Sequence, residues 1–498
     1  MSLHQLYVAL FAGGLVLLAS IAATRLATGA GLPSLLLFLG VGVLVGEAGL
    51  GLDFDNAQLA QGLGTAALGV ILVEGGLTTR FSDIRKVLAP AGVLATVGVG
   101  VSTVVTATAV HWLLGMDWQL ALLLGAIVSS TDAAAVFSVL RVVPLPRRVG
   151  GLLEAESGFN DAPALILVLL FSVTPLELNP GVIAATVLYE LVIGAAIGLG
   201  CGFLGAMALR RIALPAAGLY PLATFGLGML AFAAAGSAHA SGFLAAYLAG
   251  VVLANSGLPH RSATRSFAEG SGWLAQIGLF VILGLLVSPN ELLDEVVPAV
   301  VAGLVLLLLA RPISVVVALI GFRVPWREQA FVSWAGLRGA VPIVLATYPI
   351  VEGVPDSGRL LNIVFLLVVV FTLIQGPSLR RVAEKLDLIP RDTTREIQVD
   401  AAPLDVLGAE LMTMTVLPGS RLHNVTVLEL RLPDPSVITL IIRAGHSFVP
   451  QPATRLEIGD ELLIVTTTAT RESAERRLRA VSRRGKLAYW FDEYGEPG

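Results

Sequence analysis

The stretch ESGFND, residues 156–161, places two carboxylates and an Asn-Asp pair inside the apolar run 150–174. That run is long enough to cross a bilayer as a helix, which needs roughly 20 residues. Ionisable side chains are costly in hydrocarbon, and where they occur they commonly mark the path of an ion or a proton. The stretch therefore predicts a membrane-spanning helix that carries a functional polar site.

The rest of the chain has the composition of a membrane protein. Hydrophobic residues make up 55% of its 498 residues, charged residues only 14%, and the mean hydropathy is +0.83. Soluble domains carry about 25% charged residues. Thirteen spans are predicted, although two of them are short enough to leave a count of twelve open. The predicted spans are 5–26, 33–48, 57–77, 86–112, 118–140, 150–174, 181–209, 216–235, 241–255, 268–287, 291–321, 328–349 and 358–385.

Several features argue against other classes of protein. The net charge of −4 gives no indication of nucleic-acid binding, and the single Cys201 excludes a disulfide framework. The apolar N-terminus lacks the basic stretch of a signal peptide and is interpreted as the first span. The letters GCGFLG at 200–205 match a dinucleotide fingerprint, but no strand precedes them. The glycines at 194, 198 and 202 instead predict close helix packing.

Positive charge alternates between the predicted connections. Nineteen Lys and Arg precede residue 386, and sixteen of them fall in alternate connections, whereas the opposite connections hold only Arg359. Because Lys and Arg favour the cytoplasmic side, this asymmetry predicts an outside N-terminus, a cytoplasmic C-terminus and an odd number of spans. The remaining two, Arg311 and Arg338, lie within predicted spans.

Two predicted spans are interrupted by polar or helix-breaking residues. In the fifth, SSTD at 129–132 stands between apolar stretches, and these residue types prefer helix N-caps. We expect one helix to stop there and another to start; the alternative is a continuous helix whose hydroxyls bond to its own carbonyls. In the twelfth, GLRGAVP at 336–342 combines two glycines and a proline around Arg338, which weakens a helix.

The two interruptions are seven predicted spans apart, so their segments run in opposite directions. A weak similarity between 68–77 and 277–286 has the same separation. Inverted repeats with paired discontinuous helices are typical of secondary transporters. The predicted fold is an all-α polytopic membrane protein of about 13 transmembrane helices, with inverted repeats and two broken crossing helices, followed by a small cytoplasmic α+β domain.

Asp161 lies near the middle of its predicted span. It shares one arc of the helix with Glu156, Ser157 and Asn160. Burial disfavours a charged carboxylate and a nearby cation favours it, so one carboxylate can hold either a proton or an alkali cation. Oxygen atoms of Asn160, Ser157 and the backbone around Thr131 suit a hard monovalent cation. The alternative is a structural polar cluster that ties helices together.

Four further charged residues have predicted roles. Glu156 is expected to pair with Arg338, the mid-membrane cation at a similar depth. Asp132 is expected to face the N-terminal end of its own half-helix, where negative charge is favourable. Glu74 would attract cations into the inner vestibule or join the site. Arg311 would satisfy helix C-termini, reach towards lipid headgroups or serve function.

The composition changes after Pro390. Residues 391–402 are predicted to be a linker, 403–485 a small cytoplasmic domain and 486–498 a C-terminal tail. Alternating hydrophobic residues predict strands, and the basic stretch 470–484 predicts an amphipathic helix. The predicted strands are ELMTMTVL at 410–417, VTVLELRL at 425–432, SVITLIIRAG at 436–445 and ELLIVTT at 461–467.

Residues 1–390 resemble cation:proton antiporter family 1, the sodium/proton and potassium/proton exchangers. The motifs that carry the resemblance are STDAAAV at 130–136, ESGFNDAPA at 156–164, GLRGAVPI at 336–343, EGGL at 74–77 and GFLAAYLAG at 242–250.

The resemblance implies roles for the site residues and a mechanism. Asp161 would carry the exchanged ion, with Ser157 and Thr131 helping to coordinate it. Asn160 would organise the site, and Glu156 would pair with Arg338. Family members are homodimers in which a core bundle moves against a dimer domain like an elevator, and they generally exchange one cation for one proton.

The tail resembles the TrkA-C (RCK-C) domain of potassium-transport regulators over 417–433 and 436–465. Such domains dimerise, and some bind a regulatory ligand such as a cyclic dinucleotide. The Rossmann half of those regulators is absent from this sequence, which puts gating by NAD or ATP in doubt. The combination is similar to the bacterial potassium/proton branch.

The predicted function is therefore a dimeric inner-membrane cation/proton antiporter, potassium-preferring, regulated through its tail and without a cofactor. A sodium/proton exchanger is the first alternative, because both ions accept the same oxygen ligands. Paired Asp132 and Asp161 would also allow acid–base work in an intramembrane aspartyl protease, although the Gly-x-Gly-Asp signature is missing. A ligand-gated potassium channel would need a TVGYG-type filter, which the sequence lacks.

Overall fold

The computed structural model describes residues 3–30, 34–47, 49, 51, 54, 56–132, 145–176, 179–212, 214–287, 289–389, 399–404 and 409–485. The chain divides into two compact units, Met1–Ile389 and Pro390–Gly498.

The first unit is helical wherever it has regular structure in the described ranges. Two of its long helices, α5 and α13, contain π turns at Leu94–Gly98 and Leu306–Ala310. The helices are α1 (Leu3–Ala30), α2 (Ser34–Val45), α3 (Ala57–Thr78), α4 (Phe81–Ile84), α5 (Leu88–Leu114), α6 (Trp118–Ser129), α7 (Arg147–Phe171), α8 (Pro180–Arg211), α9 (Leu219–Ser237), α10 (Gly242–Ala254), α11 (Arg261–Leu285), α12 (Pro289–Leu292), α13 (Leu293–Leu319), α14 (Trp326–Trp334), α15 (Ala340–Val351) and α16 (Ser357–Lys385).

Seven helices in the described part of the chain are long and apolar enough to cross a membrane: α3, α5, α8, α9, α11, α13 and α16. Shorter apolar helices lie within α1, α2, α6, α10 and α15. The 25-residue helix α7 carries the polar stretch that the sequence singled out. Every predicted span overlaps at least one of these helices, which confirms a mostly helical membrane architecture. Thirteen crossings and an inverted repeat stay predictions.

The helices of this unit pack as two bundles. We call α1–α3 together with α8–α11 the scaffold bundle, and α5–α7 together with α13–α16 the site bundle. The two bundles meet mainly where α3, α8 and α10 pack against α7 and α15. Any group on those facing surfaces therefore lies at the boundary between two separately packed bodies.

Close helix packing on α8 is confirmed. A Cβ atom added to Gly194 would lie 2.6 Å from the carbonyl oxygen of Ser241, and one added to Gly198 would lie 2.6 Å from that of Ala245. A Cβ at Gly202 would meet the side chain of Val252 at 2.8 Å. The four-residue glycine spacing thus lets α8 approach the backbone around α10.

In its described residues, the second unit has a five-stranded antiparallel sheet in the order β1-β2-β5-β3-β4 and one α-helix. Apolar side chains from the sheet, including Met412 and Ile464, form a core with Leu478 and Val481 of that helix. The elements are β1 (Val399–Leu404), β2 (Ala409–Thr415), β3 (Val437–Arg443), β4 (His446–Phe448), β5 (Glu461–Thr467) and α17 (Arg471–Arg484).

One strand prediction for this unit is wrong. The stretch 425–432 forms a 3-10 turn at Leu428–Leu430 and makes an isolated bridge at Thr426 rather than a strand. The cause is a reciprocal cap, because the Thr426 N–H donates to Glu429 Oε2 at 2.9 Å and the Glu429 N–H to Thr426 Oγ1 at 3.3 Å. Of the predicted linker 391–402, the structure describes only the residues from Val399 onward, which belong to β1 and pair with β2.

Candidate functional site

The two interrupted segments are bonded to each other. Helix α6 ends at Ser129, and helix α15 begins at Ala340 after a non-helical stretch at 335–339. The Asp132 N–H donates to the Leu337 carbonyl at 3.0 Å, and Asp132 Oδ2 accepts from the Ala340 N–H at 2.9 Å. The second predicted break is thus present, and the first helix stops where it was predicted to stop, while the restart predicted after it falls on 133–144, outside the described residues.

Asp132 caps the opposite half-helix. The sequence predicts that it faces a half-helix over the residues that follow it, which are outside the described residues; in the structure its carboxylate is bonded at the N-terminus of α15. The first N–H groups of a helix lack intrahelical partners, and a negative charge there is favourable. Gly339 permits the approach, because a Cβ atom at that position would overlap the Asp132 carboxylate.

The structure brings together four of the predicted site residues and Ser130, which was not predicted. The four are Thr131, Ser157, Asn160 and Asp161. Asp161 is 2% exposed and accepts a hydrogen bond from Ser130 Oγ at 2.7 Å. The hydroxyl oxygens of Thr131 and Ser157 are 2.9 Å apart, and Asn160 Nδ2 donates to Thr131 Oγ1 at 2.5 Å. The buried Asn160 Oδ1 has no hydrogen-bond partner among the described residues. The cluster therefore offers several oxygen atoms around one carboxylate.

A small cavity lies beside this cluster, at the boundary between the two bundles. Asp132 and Asp161 line it together with residues of α3, α11 and α15. Its volume of about 10 Å³ is close to the ~10–15 Å³ that one water needs by the same measure. The scaffold bundle contributes mostly apolar side chains such as Leu68 and Phe280, but also the amide of Gln276. A small ion or water at this point would contact both bundles.

Glu156 pairs with Arg311, which corrects the predicted pair with Arg338. Arg311 Nη1 and Nη2 donate to the two Glu156 carboxylate oxygens at 2.5 and 2.8 Å, and the two residues are 5% and 1% exposed. Arg338 instead donates to the carbonyls of Val128 at 2.8 Å and Gly336 at 2.5 Å. The reason is that α6 ends in the core, where its last carbonyls need donors.

Glu74 is not among the residues that line this cavity. It is buried on α3 against α11, where a Cβ atom at Gly272 would lie 2.9 Å from its Cγ.

Sequence reasoning missed Ser130 and Gln276. Ser130 stands within the interruption at 129–132, so a signal for it existed. Gln276 is a single amide in an apolar helix and carries no motif.

Comparison with known proteins supports one family for the membrane unit and one for the tail. The profile of the family described as "Sodium/hydrogen exchanger, transmembrane" matches residues 15–385, and that of the "TrkA-C domain" matches residues 411–479.

Two curated relatives cover most of the chain. The K(+)/H(+) antiporter NhaP of Alkalimonas amylolytica is 38% identical over 469 residues, which is 92% of this chain and 80% of that protein. The K(+)/H(+) antiporter NhaP2 of Shewanella baltica is 33% identical over 493 residues, which is 97% of this chain and 85% of that protein.

A solved structure shares the fold. The sodium proton antiporter MjNhaP1 from Methanocaldococcus jannaschii matches with a TM-score of 0.65, covering 76% of this chain and 99% of that one. The sequence identity is 22%, so this likeness shows the fold alone.

Proposed function

Because this chain belongs to the sodium/hydrogen exchanger family and is a cation/proton antiporter rather than an enzyme, we propose that it exchanges K⁺ for H⁺ at Asp161. Family membership removes the protease and channel alternatives. The observation that carries the proposal is the buried Asp161 carboxylate, bonded to Ser130 and set beside a cavity between two bundles.

The Asp161 carboxylate binds the cation and the proton in competition. A bound cation requires the charged carboxylate, whereas a bound proton neutralises it. Ser157 and Thr131 add hydroxyl ligands, and Asn160 holds the Thr131 hydroxyl in position. One carboxylate that carries one ion at a time exchanges one cation for one proton, which makes the cycle electroneutral. Glu74 draws cations towards the site.

The other buried charges stabilise the arrangement of the helices around the site. The Glu156–Arg311 pair joins α7 to α13, Arg338 satisfies carbonyls at the end of α6, and Asp132 caps α15. Each charge therefore has a fixed partner other than the transported ion. Discontinuous helices that present their ends near the middle of the membrane are the usual architecture of secondary-transporter sites, and they support an inverted repeat.

The cycle moves the site bundle against the scaffold bundle. The position of the cavity at the boundary between the bundles supports this elevator-type motion. The protein is a homodimer in the bacterial inner membrane, with its N-terminus outside and lipid around it. The TrkA-C domain regulates transport and binds a small ligand such as a cyclic dinucleotide.

The preference for potassium is supported by the names of both curated relatives. The alternative is Na⁺/H⁺ exchange, which the name of the structural neighbour favours. Both ions take the oxygen ligands that this cluster offers, so the cluster supports either.

A transport assay tests the proposal. The purified full-length protein in sealed liposomes, with an internal pH dye and the membrane potential clamped to zero, is given a potassium gradient and then a sodium gradient. We expect potassium-driven proton movement that Asp161→Asn abolishes without loss of folding and that Asp294→Asn, a change at an exposed aspartate, leaves intact. Movement with sodium alone would overturn the potassium assignment, and retained exchange in Asp161→Asn would overturn the site.

A further inference from the structure

A second polar cluster lies on α7, on the side of Asp161 that faces the start of the helix. Thr79 Oγ1 donates to Glu154 Oε1 at 2.6 Å, and the Tyr247 hydroxyl lies 3.5 Å from Thr79 Oγ1. Thr79 and Tyr247 are 2% and 1% exposed, while Glu154 is only partly buried. The cluster thus combines two enclosed hydroxyls with one carboxylate that water reaches.

Helical spacing puts this carboxylate in line with Asp161. Glu154, Gly158 and Asp161 are separated by four and three residues, so they share one face of α7. Seven residues of α-helix span roughly 10 Å. One face of α7 therefore carries a partly exposed carboxylate and, two turns further on, a buried one.

The ring of Tyr247 covers the face between them. A Cβ atom at Gly158 would lie only 2.6 Å from two carbon atoms of that ring, so the ring rests directly on the helix backbone. Phe159 adds an edge-to-face contact, with ring centroids 5.4 Å apart. An ion that moves along this face from Glu154 to Asp161 has to pass the tyrosine.

The cluster also bridges the two bundles. Thr79 follows α3 and Tyr247 belongs to α10, both in the scaffold bundle, whereas Glu154 belongs to the site bundle. Asn255 fixes the scaffold side, because its Nδ2 donates to the Thr79 carbonyl and its Oδ1 accepts from the Phe81 N–H, each at 3.1 Å. The cluster therefore lies on the same boundary as the cavity beside Asp161.

We propose that Glu154, with the hydroxyls of Thr79 and Tyr247, is an entry station for the transported monovalent cation, and that the Tyr247 ring is the barrier between this station and Asp161. The inference rests on the proposed exchange at Asp161. A carboxylate and two hydroxyls supply the oxygen ligands that a hard cation prefers, and partial exposure lets the ion keep some of its water. The negative charge raises the local cation concentration at the mouth of the path.

A cation station at one end of the transport path should affect ions from one side of the membrane only, whereas a purely structural contact should not distinguish the two sides. Glu154 is seven residues from the start of α7, about 10 Å into the helix, and so belongs to one side of the membrane. Its charge acts on ions that approach from that side and not on ions that approach from the other. The effect of removing the charge is therefore expected to be one-sided.

The test is cation-dependent exchange by the full-length protein in liposomes, measured separately for the two orientations of the protein. Glu154→Gln keeps the side-chain size and can still bond to Thr79, but loses the charge. For K⁺ that approaches from the side of the membrane nearer Glu154, we expect it to raise the apparent KM about fivefold. This is the largest effect usually found for one partly exposed charge interaction. The maximum rate, and the KM from the opposite side, should stay within about twofold of the original protein, because substitutions away from an interaction usually have only small effects.

Glu269→Gln is the matched control. Glu269 lies eight residues from the start of α11, at a similar depth in the scaffold bundle, and pairs with the exposed Arg265. Its loss of charge should leave both KM values unchanged. Tyr247→Phe keeps the ring but removes the hydroxyl, and it should raise the same one-sided KM by a smaller factor even if Glu154→Gln folds poorly.

A fall in thermal stability and maximum rate with both KM values unchanged would overturn the station and leave Glu154 as a structural bridge. Equal KM changes from the two sides would overturn it as well. Failure of the unaltered protein to exchange either ion would instead overturn the proposed function, so the two failures are distinguishable.

Discussion

At the scale of single residues, the buried charges are held as much by helix ends as by one another. Arg338 donates to the carbonyls of Val128 and Gly336, and Asp132 accepts from the N–H of Ala340. A helix that stops at membrane depth leaves backbone groups with no water to bond to. Charged side chains that meet those groups therefore stabilise the break and satisfy their own desolvated charge.

The hydroxyl of Ser130 should tune the ion site. Ser130→Ala removes the 2.7 Å hydrogen bond to Asp161, and a hydrogen bond to a charged group is worth about 1.5–3 kcal/mol. We expect the apparent KM for the cation to rise about tenfold in the liposome assay. Ser129→Ala is the control, because the Ser129 hydroxyl donates to the Ala126 carbonyl of its own helix. Equal effects of both changes would contradict the assignment.

The ion pair of Glu156 with Arg311 should produce a strong coupling. Glu156→Gln or Arg311→Gln alone leaves a buried charge without its partner, which typically costs about 3–5 kcal/mol. The double variant should lose much less free energy of unfolding than the sum of the single variants. Thermal unfolding of the four purified proteins measures this coupling. A stronger coupling between Glu156 and Arg338, measured in a parallel cycle, would restore the pair that the sequence predicted.

At the scale of elements, glycines decide how closely helices approach. On α8, Gly198 faces the backbone at Ala245, whereas an added Cβ at Gly200 meets no atom within 4 Å. The same helix therefore contains both a packed and an open glycine. Where two backbones touch, even a methyl group forces one helix to move.

Substitution of these two glycines by alanine should affect stability differently. Gly198→Ala introduces a Cβ atom 2.6 Å from the Ala245 carbonyl oxygen, so we expect the melting temperature to fall by several degrees. Gly200→Ala should leave it unchanged or raise it, since Ala favours a helix over Gly by about 0.8–1.0 kcal/mol. The two variants differ by two positions in one helix and serve as controls for each other. A larger loss in Gly200→Ala would refute the packing of α8 on α10.

At the scale of the whole molecule, the polar cluster around Asp161 belongs to one bundle and much of the cavity wall to the other. Asp132 and Asp161 come from the site bundle, while Leu68 and Gln276 come from the scaffold bundle. Movement of one bundle past the other would change what faces the carboxylates without rebuilding the cluster itself. In the proposed cycle, this division would let a rigid site face each side of the membrane in turn.

The tail should regulate transport without being needed for it. The first compact unit ends at Ile389, so a chain truncated after that residue is expected to insert and to keep exchanging cations for protons in liposomes. It should lose any change in rate that the full-length protein shows when cyclic dinucleotides are added on the tail side. Normal insertion without exchange would mean that the tail takes part in the transport step.

Hydropathy and charge along the chain are enough to locate most of its helices and strands. Every predicted span overlaps a helix, and the predicted strand ELLIVTT coincides with β5, Glu461–Thr467. These features are local, because an apolar run or an alternating run of residues indicates from its own composition which side chains are buried, whatever the rest of the chain does. The stretch 425–432 is an exception. Its alternating hydrophobic residues predict a strand, but the reciprocal hydrogen bonds between Thr426 and Glu429 favour a turn instead.

Side-chain partners depended on the folded arrangement. Glu156 meets Arg311 across 155 residues, and Asp132 meets Ala340 across 208. Predicted depth favoured Arg338 as the partner of Glu156, but in the folded chain Arg311 faces Glu156 and Arg338 bonds to the Val128 carbonyl at the end of α6. Such choices are made by packing between distant segments, because the bilayer sorts residues by polarity and depth but does not assign their neighbours.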